Sequence, residues 1–175
     1  MSEERTAEYK LEAEEMTEPR VASPGSRSSA SYVAVRNTLP SDVDMVSPFV
    51  DQLMRFVSRS RVADEDNFEI ELALREALVN AIVHGNRQDP RKRVYINCRC
   101  MADGEVSVTV EDEGTGFRSD AVPDPTSPDN RLRTHGRGIY LMRTLMDEVV
   151  FEQGGSVVRM RKRINAGSHA ARKPQ

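Results

Sequence analysis

The 175-residue chain reads as a two-layer α/β sandwich, a mostly antiparallel mixed sheet with helices packed on one face. Three observations predict it. Apolar residues alternate with polar ones in "SYVAVRNTL", "RVYINCRCM", "EVSVTVED", "VVFEQ" and "SVVRMRKRI", the period of a half-buried strand. Stretches of helical period lie between them, in "SDVDMVSPFVDQLMRFVSRS", "FEIELALREALVNAIVHGN" and "GRGIYLMRTLMDE". Finally, the order strand, helix, helix, strand, strand, loop, helix, strand, strand lacks the regular alternation of a doubly wound fold, so helices segregate to one face.

Taken in order, residues 1–30 are rich in Glu, Ser, Arg and Pro without an apolar period. They are expected to be a disordered arm, with at most a frayed helix from Glu8 to Met16. A single domain is expected over 31–164, and an unstructured tail over 165–175. The first helix can be capped by Ser41 or by Ser47, and Pro48 favours a start or kink there. The second, most strongly helical stretch closes at Gly85. "ADG" joins the next two strands as a hairpin. Residues 113–135 are rich in Pro, Asp, Ser and Arg and have no period, so they read as a functional loop or lid. A helix follows, then a hairpin across Gly154 and Gly155.

Composition excludes several classes. A net charge of −3 supplies no global attraction to nucleic acid or anionic membrane. The basic cluster Arg159, Arg161, Lys162 and Arg163 lacks interleaved aromatics and reads as a solvated edge. No apolar run reaches the ~18 residues that span a bilayer. The acidic start "MSEERTAEYKLEAEE" is not a signal peptide, so a cytoplasmic protein is expected. Cys98 and Cys100, the only cysteines, share one strand face and read as small buried hydrophobes in a reducing compartment.

Three segments carry chemistry. Along the second helix, Leu74, Leu78, Ala81 and Ile82 form the stripe expected against the sheet. With Glu76 as origin, Asn80 falls at about 40° and His84 at about 80°, on a different face. Leu72, Ala73 and Val83 share that arc, so the polar groups sit among apolar neighbours. Glu76 and Asn80 are i,i+4 and reach one point. A carboxylate beside an amide oxygen suits a hard cation or a proton transfer, although a surface glutamate and a capping asparagine give the same spacing.

In "EVSVTVED", Val106, Val108 and Val110 share a face with Asp112, which therefore points inward at the strand end. A buried carboxylate needs donors, from the following turn or from a ligand N–H. Gly114 and Gly116 leave room for close approach. In "THGRGIY", Gly136 and Gly138 open a helix whose free N–H groups suit phosphate, with Arg131, Arg133, His135 and Arg137 adding charge. The spacing is that of neither a Walker A loop nor a Rossmann fingerprint.

In order, "EALVNAIVHGN", "DEGTGF" and "GRGIYLM" resemble the N, G1 and G2 boxes of the GHKL (Bergerat) ATP-binding fold, over roughly residues 33–163. "LPSDVDMV" and "GRGIYLMRTLMDEVVFEQGG" look most like the RsbW-type anti-sigma serine kinases. The resemblance implies that Glu76 is the general base for an attacking serine hydroxyl. It implies that Asn80 binds the Mg²⁺ that bridges ATP phosphates, and that Asp112 accepts from the adenine amino group. Gly114 and Gly116 would shape the adenine pocket, while Gly136 and Gly138 would let the lid fold over the phosphates. Ser156 stands where members usually carry Thr and keeps the hydroxyl. No lysine lies between Asp112 and Gly138, so cationic phosphate contacts fall to Arg131, Arg133, His135 or Arg137.

The function implied is an ATP-dependent serine kinase and anti-sigma factor. It would phosphorylate a small STAS-type anti-anti-sigma protein and sequester a sigma factor in a partner switch, as a homodimer. The alternative is a non-catalytic nucleotide-binding module. The catalytic half of a sensor histidine kinase is disfavoured, because the 30 polar residues ahead of the core leave no room for a phosphoacceptor-helix pair.

Overall fold

The computed structural model describes residues 13–21, 27–60, 67–116 and 137–164. The expected tail at 165–175 and the lid from 117 onward lie outside them. Strands β1 (Ala13–Val21), β2 (Arg27–Pro40), β3 (Arg93–Met101), β4 (Glu105–Asp112), β5 (Glu148–Glu152) and β6 (Val157–Arg163) form one sheet. Its order is β1-β2-β3-β4-β6-β5, antiparallel at every described pairing. Helices α1 (Val46–Arg59), α2 (Phe68–Val79) and α3 (Arg137–Leu145) complete the second layer.

Period-two alternation builds the core. Val35 on β2 lies opposite Cys98 on β3, Cys98 opposite Val108 on β4, and Val108 opposite Met160 on β6. All four are buried, and one cluster joins them to Phe49, Leu53, Leu74, Leu78 and Met142 of the helices. Each such side chain contributes about 1.5–3 kcal/mol on burial. Cys98 and Cys100 are buried free thiols on this face. The opposite face carries Ser107, Thr109, Arg159 and Arg161, with Arg159 paired to Glu152 at 3.1 Å and Arg161 paired to Glu148. Lys162 departs from the expected solvated edge. Its strand parity turns it to the helix side, where it donates to the Leu145 carbonyl at 2.7 Å and pairs with Glu69 at 2.6 Å.

Composition leaves residues 1–30 an unstructured arm, yet Ala13–Val21 is a strand paired with Arg27–Val35. The ladder is made of main-chain groups, so it needs no apolar alternation to form. An edge also tolerates Pro19, which has no N–H to donate.

Neither expected serine caps the first helix. Asp42 caps a 3₁₀ turn at Val43–Met45, accepting from the Asp44 N–H at 3.0 Å. This turn runs directly into α1, which therefore has no side-chain cap. Ser41 Oγ is buried without a hydrogen-bond partner, and Ser47 Oγ accepts from Arg75 Nη1 at 3.0 Å. Pro48 sits in the first turn, where its missing N–H costs nothing. Arg75 also reaches Asp51 at 2.8 Å and Glu71 at 2.9 Å, clamping α2 to α1.

The end of α2 differs most from expectation. After Val79 the chain continues as a π turn over Asn80–Gly85, a form favoured at functional sites. The Asn86 N–H closes it on the Ala81 carbonyl at 2.7 Å. Gly85 does not supply the left-handed exit; Arg87 (φ 58°) and Gln88 (φ 57°) do. Asn86, fully buried, then ties three elements together. Its Nδ2 donates to the Arg93 carbonyl at 2.8 Å, and its Oδ1 accepts from the Glu113 N–H at 2.9 Å.

Asn86→Ala removes both bonds and leaves a part-buried carbonyl and a part-buried N–H without their partner, at a cost of about 3 kcal/mol. For a domain of this size the thermal midpoint is expected to fall by about 6–12 °C, measured by circular-dichroism melts. A midpoint within 2 °C of wild type would refute the bridging role.

Candidate functional site

The site forms where the end of α2, the end of β4 and the start of α3 meet. Glu76 and Asn80 lie one turn apart at the junction of α2 with the π turn. Gly138, in the first turn of α3, comes so close that a β-carbon there would stand 2.6 Å from Glu76 Oε2 and 3.2 Å from Asn80 Nδ2. A side chain at this position would push the Glu76 carboxylate out of its place. The structure thus brings together two of the three segments that the sequence singled out.

Asn80 Nδ2 is buried and has no hydrogen-bond partner. A buried amide group left unpaired costs about 1–3 kcal/mol, so the position suits a group with a ligand to meet. Rotating the amide presents Oδ1 at the same place, a hard-oxygen donor beside the Glu76 carboxylate. Among the described residues no cluster of three or more His, Cys, Asp or Glu can hold a metal by itself. Mg²⁺ is bound through one or two protein oxygens plus substrate phosphates, so this donor set fits it.

The other end of the π turn meets the third segment. Asp112 lies opposite Val94 on the core side of β4, as the valine alternation requires. A β-carbon on Gly85 would collide with its carboxyl group, and one on Gly114 would reach the Gly85 carbonyl. The glycine of the expected helix stop is therefore needed for space, not for its torsion. Asp112 Oδ1 accepts from the Gly114 N–H at 2.8 Å, and its own N–H donates to the Ser156 carbonyl at 2.9 Å. Burial holds the Asp112 carboxyl above the usual range, and the Gly114 N–H opposes this. One oxygen is thus committed to the turn and the other remains for a donor.

Around this carboxylate the backbone is fixed by side chains without chemistry of their own. Glu113 accepts from the Arg93 N–H at 2.7 Å and from Tyr95 Oη at 2.8 Å. Those two donors hold its carboxyl below the ordinary value. Gly116 has φ 73° and packs on the Gly154 carbonyl. Ser156 is buried, but its hydroxyl proton goes to the Gln153 carbonyl at 3.1 Å. It precedes β6 as the cap of a 3₁₀ turn, so only its acceptor lone pairs remain for a ligand or water. Arg137 is exposed at the start of α3. Gly136 and Arg133, with Arg131 and His135, lie outside the described residues. His84 is exposed on the π turn, off the 100° projection that put it near Glu76.

Gly85 and Asn86 were missed as site-building residues. Both stand in the segment "HGN" that closes the helix, but neither space for a carboxylate nor a bridge to β3 and β4 leaves a local pattern. The π turn that points them there has no sequence signature of its own.

Residues 39–162 match a family model described as the histidine kinase-like ATPase domain. An anti-sigma F factor of Geobacillus thermodenitrificans is 36% identical over 116 residues, 62% of this chain and 77% of the relative. That of Heyndrickxia coagulans is 32% identical over 94 residues, 51% of this chain and 64% of the relative. The serine-protein kinase RsbW of Staphylococcus epidermidis is 28% identical over 145 residues, 79% and 90% of the two chains. With the family model covering well over half of its length, this chain belongs to the histidine kinase-like ATPase domain family.

Proposed function

We propose that this chain is an ATP-dependent serine-protein kinase and anti-sigma factor. Its acceptor is a serine on a STAS-type anti-anti-sigma protein, and its second partner is a sigma factor held in a partner switch. The names of the relatives support both halves of this reading. The observation that carries it is the Glu76 carboxylate beside the unpartnered Asn80 amide, under the glycine that opens α3. A homodimer acting in the cytoplasm is in keeping with the family resemblance. Among the described residues no helix is long and apolar enough to cross a membrane.

In this reading the adenine amino group donates to Asp112, whose free oxygen faces away from the Gly114 N–H. Gly114 and Gly116 shape the adenine pocket, and Ser156 offers acceptor capacity beside it. Asn80 holds Mg²⁺, which when bound neutralises phosphate charge. Arg133 and Arg137, with Gly136 and Gly138, belong to the segment that closes over the phosphates. Glu76 accepts the proton of the attacking serine hydroxyl. Phosphoryl transfer needs positioning and charge neutralisation above all, so a rigid pocket with one base is sufficient machinery. The switch follows by linkage: a nucleotide state that raises the affinity for one partner is itself bound more tightly, by the same factor, when that partner is present.

Glu76→Gln keeps the pocket and removes the base. ATP affinity is expected to stay within threefold while serine phosphorylation falls at least 100-fold, read with labelled ATP and the STAS protein. Undiminished phosphorylation would remove Glu76 from the base role.

Asp112→Asn keeps the acceptor for the Gly114 N–H but turns a donor toward the adenine amino group. Losing a charged hydrogen bond of about 1.5–3 kcal/mol should weaken ATP binding roughly 10- to 100-fold, measured by calorimetry. The folded-state pKa of Asp112 is raised. Its ionisation therefore costs folding stability, which is greatest below the unfolded value and declines as pH rises through the folded one. The variant should accordingly melt no lower than wild type at neutral pH. For wild type, ATP affinity should decline as pH falls through that raised pKa, and the decline should vanish in Asp112→Asn.

A further inference from the structure

The surface of α2 holds more apolar area than its packing uses. On α1 the outward positions Ser47, Pro48, Asp51, Arg55, Ser58 and Arg59 carry no large hydrophobe. Helix α2 buries Ile70, Ala73, Leu74, Ala77 and Leu78, yet also presents Phe68 at 61% exposure and Val79 at 37%, with Leu72 half-buried between them. At ~100° per residue with Glu76 as origin, Ala73 and Asn80 fall at about +60° and +40°, while Leu72, Val79 and Phe68 fall at about −40°, −60° and −80°. Glu76 therefore stands on a boundary. One flank is the pocket side, covered by the start of α3 at Gly138. The other is an exposed apolar stripe, bounded beyond Phe68 by the Arg75 clamp to Asp51 and Ser47.

We propose that the Phe68–Leu72–Val79 stripe is the docking surface for the acceptor polypeptide, receiving apolar side chains that flank the phosphorylated serine. This rests on the kinase reading above. If Glu76 is the base, the acceptor hydroxyl must come within hydrogen-bond reach of it. The start of α3 covers one flank, where the kinase reading puts the nucleotide, so the protein substrate arrives over the other. A stripe beside that carboxylate supplies apolar area that a partner can bury at that point, at about 25 cal/mol per Å². Exposed positions can be changed with little effect on folding, which makes the surface testable without unfolding the helix.

The double variant Phe68→Ser/Val79→Ser is compared with wild type in two measurements on the full chain. In the first, KM for the STAS acceptor is expected to rise at least tenfold, with the dissociation constant for ATP within twofold and the thermal midpoint within 3 °C. In the second, binding of a STAS acceptor whose serine is changed to alanine is followed by calorimetry in the presence of ATP. At least a tenfold loss of affinity is expected there, independent of any transfer. If wild type binds the alanine acceptor but transfers no phosphate to the unmodified serine acceptor, while the variant loses binding, the kinase reading falls and the docking surface stands. Equal binding and equal KM in variant and wild type overturn the docking surface. So does a change confined to the oligomeric mass, which would assign the stripe to a second copy of this chain. If no STAS protein binds wild type at all, both proposals are overturned.

Discussion

The carboxyl group of Asp112 rests against Gly85, where even a methyl group would collide. Most of the site depends on that one approach. It requires the end of β4 to meet the last residue of the π turn, which in turn requires the helix to be underwound from Asn80 onward. Asn86 locks the contact from below through Arg93 and Glu113, and the Ser156 carbonyl locks the strand from the side. The acidic group is thereby partly desolvated, with no cation in hydrogen-bond contact among the described residues, and burial raises its pKa.

One helix and the turn that ends it carry Glu76, Asn80 and Gly85. Asn80 and Gly85 bound one π turn, while Glu76 stands one α-turn earlier. A rigid segment of so few residues fixes the separation between base, amide and carboxylate without help from loops. The clamp of Arg75 on α1 and the pairing of Lys162 with Glu69 and the Leu145 carbonyl hold that segment at its far end. These are half-exposed ion pairs of modest worth singly, but they join α1, α2, α3 and β6 in a frame around the pocket.

Much of this was legible in the chain. Period-two runs placed β2 to β6 and put Asp112 on the valine face, because burial on one side leaves a pattern that backbone geometry enforces. The i,i+4 spacing of Glu76 and Asn80 placed both at one point, and Gly114 marked a close approach, which the structure shows against the Gly85 carbonyl. What escaped notice is set by partners remote in sequence. Gly85 reads as a helix stop until Asp112 is seen beside it. Asn86 reads as a loop residue, although its two bonds reach 7 and 27 positions away. Strand β1 escaped because a main-chain ladder at an edge asks nothing of composition. Lys162 escaped because a basic run hides which of its members faces inward.

A π turn is what a helix becomes when it takes in one extra residue while both of its ends stay anchored. That gives the Asn80–Gly85 segment an unusual sensitivity to length. Losing one residue between these two would let the ladder relax to ordinary α-helical winding without disturbing Glu76 or the buried stripe of α2. Gly85 would then turn away from Asp112, and Glu76 and Asp112 would fall out of phase. A side-chain substitution leaves that register in place, whereas a deletion shifts the phase of everything beyond it. Chain length across these six residues therefore sets the register between Glu76 and the contact of Gly85 with Asp112.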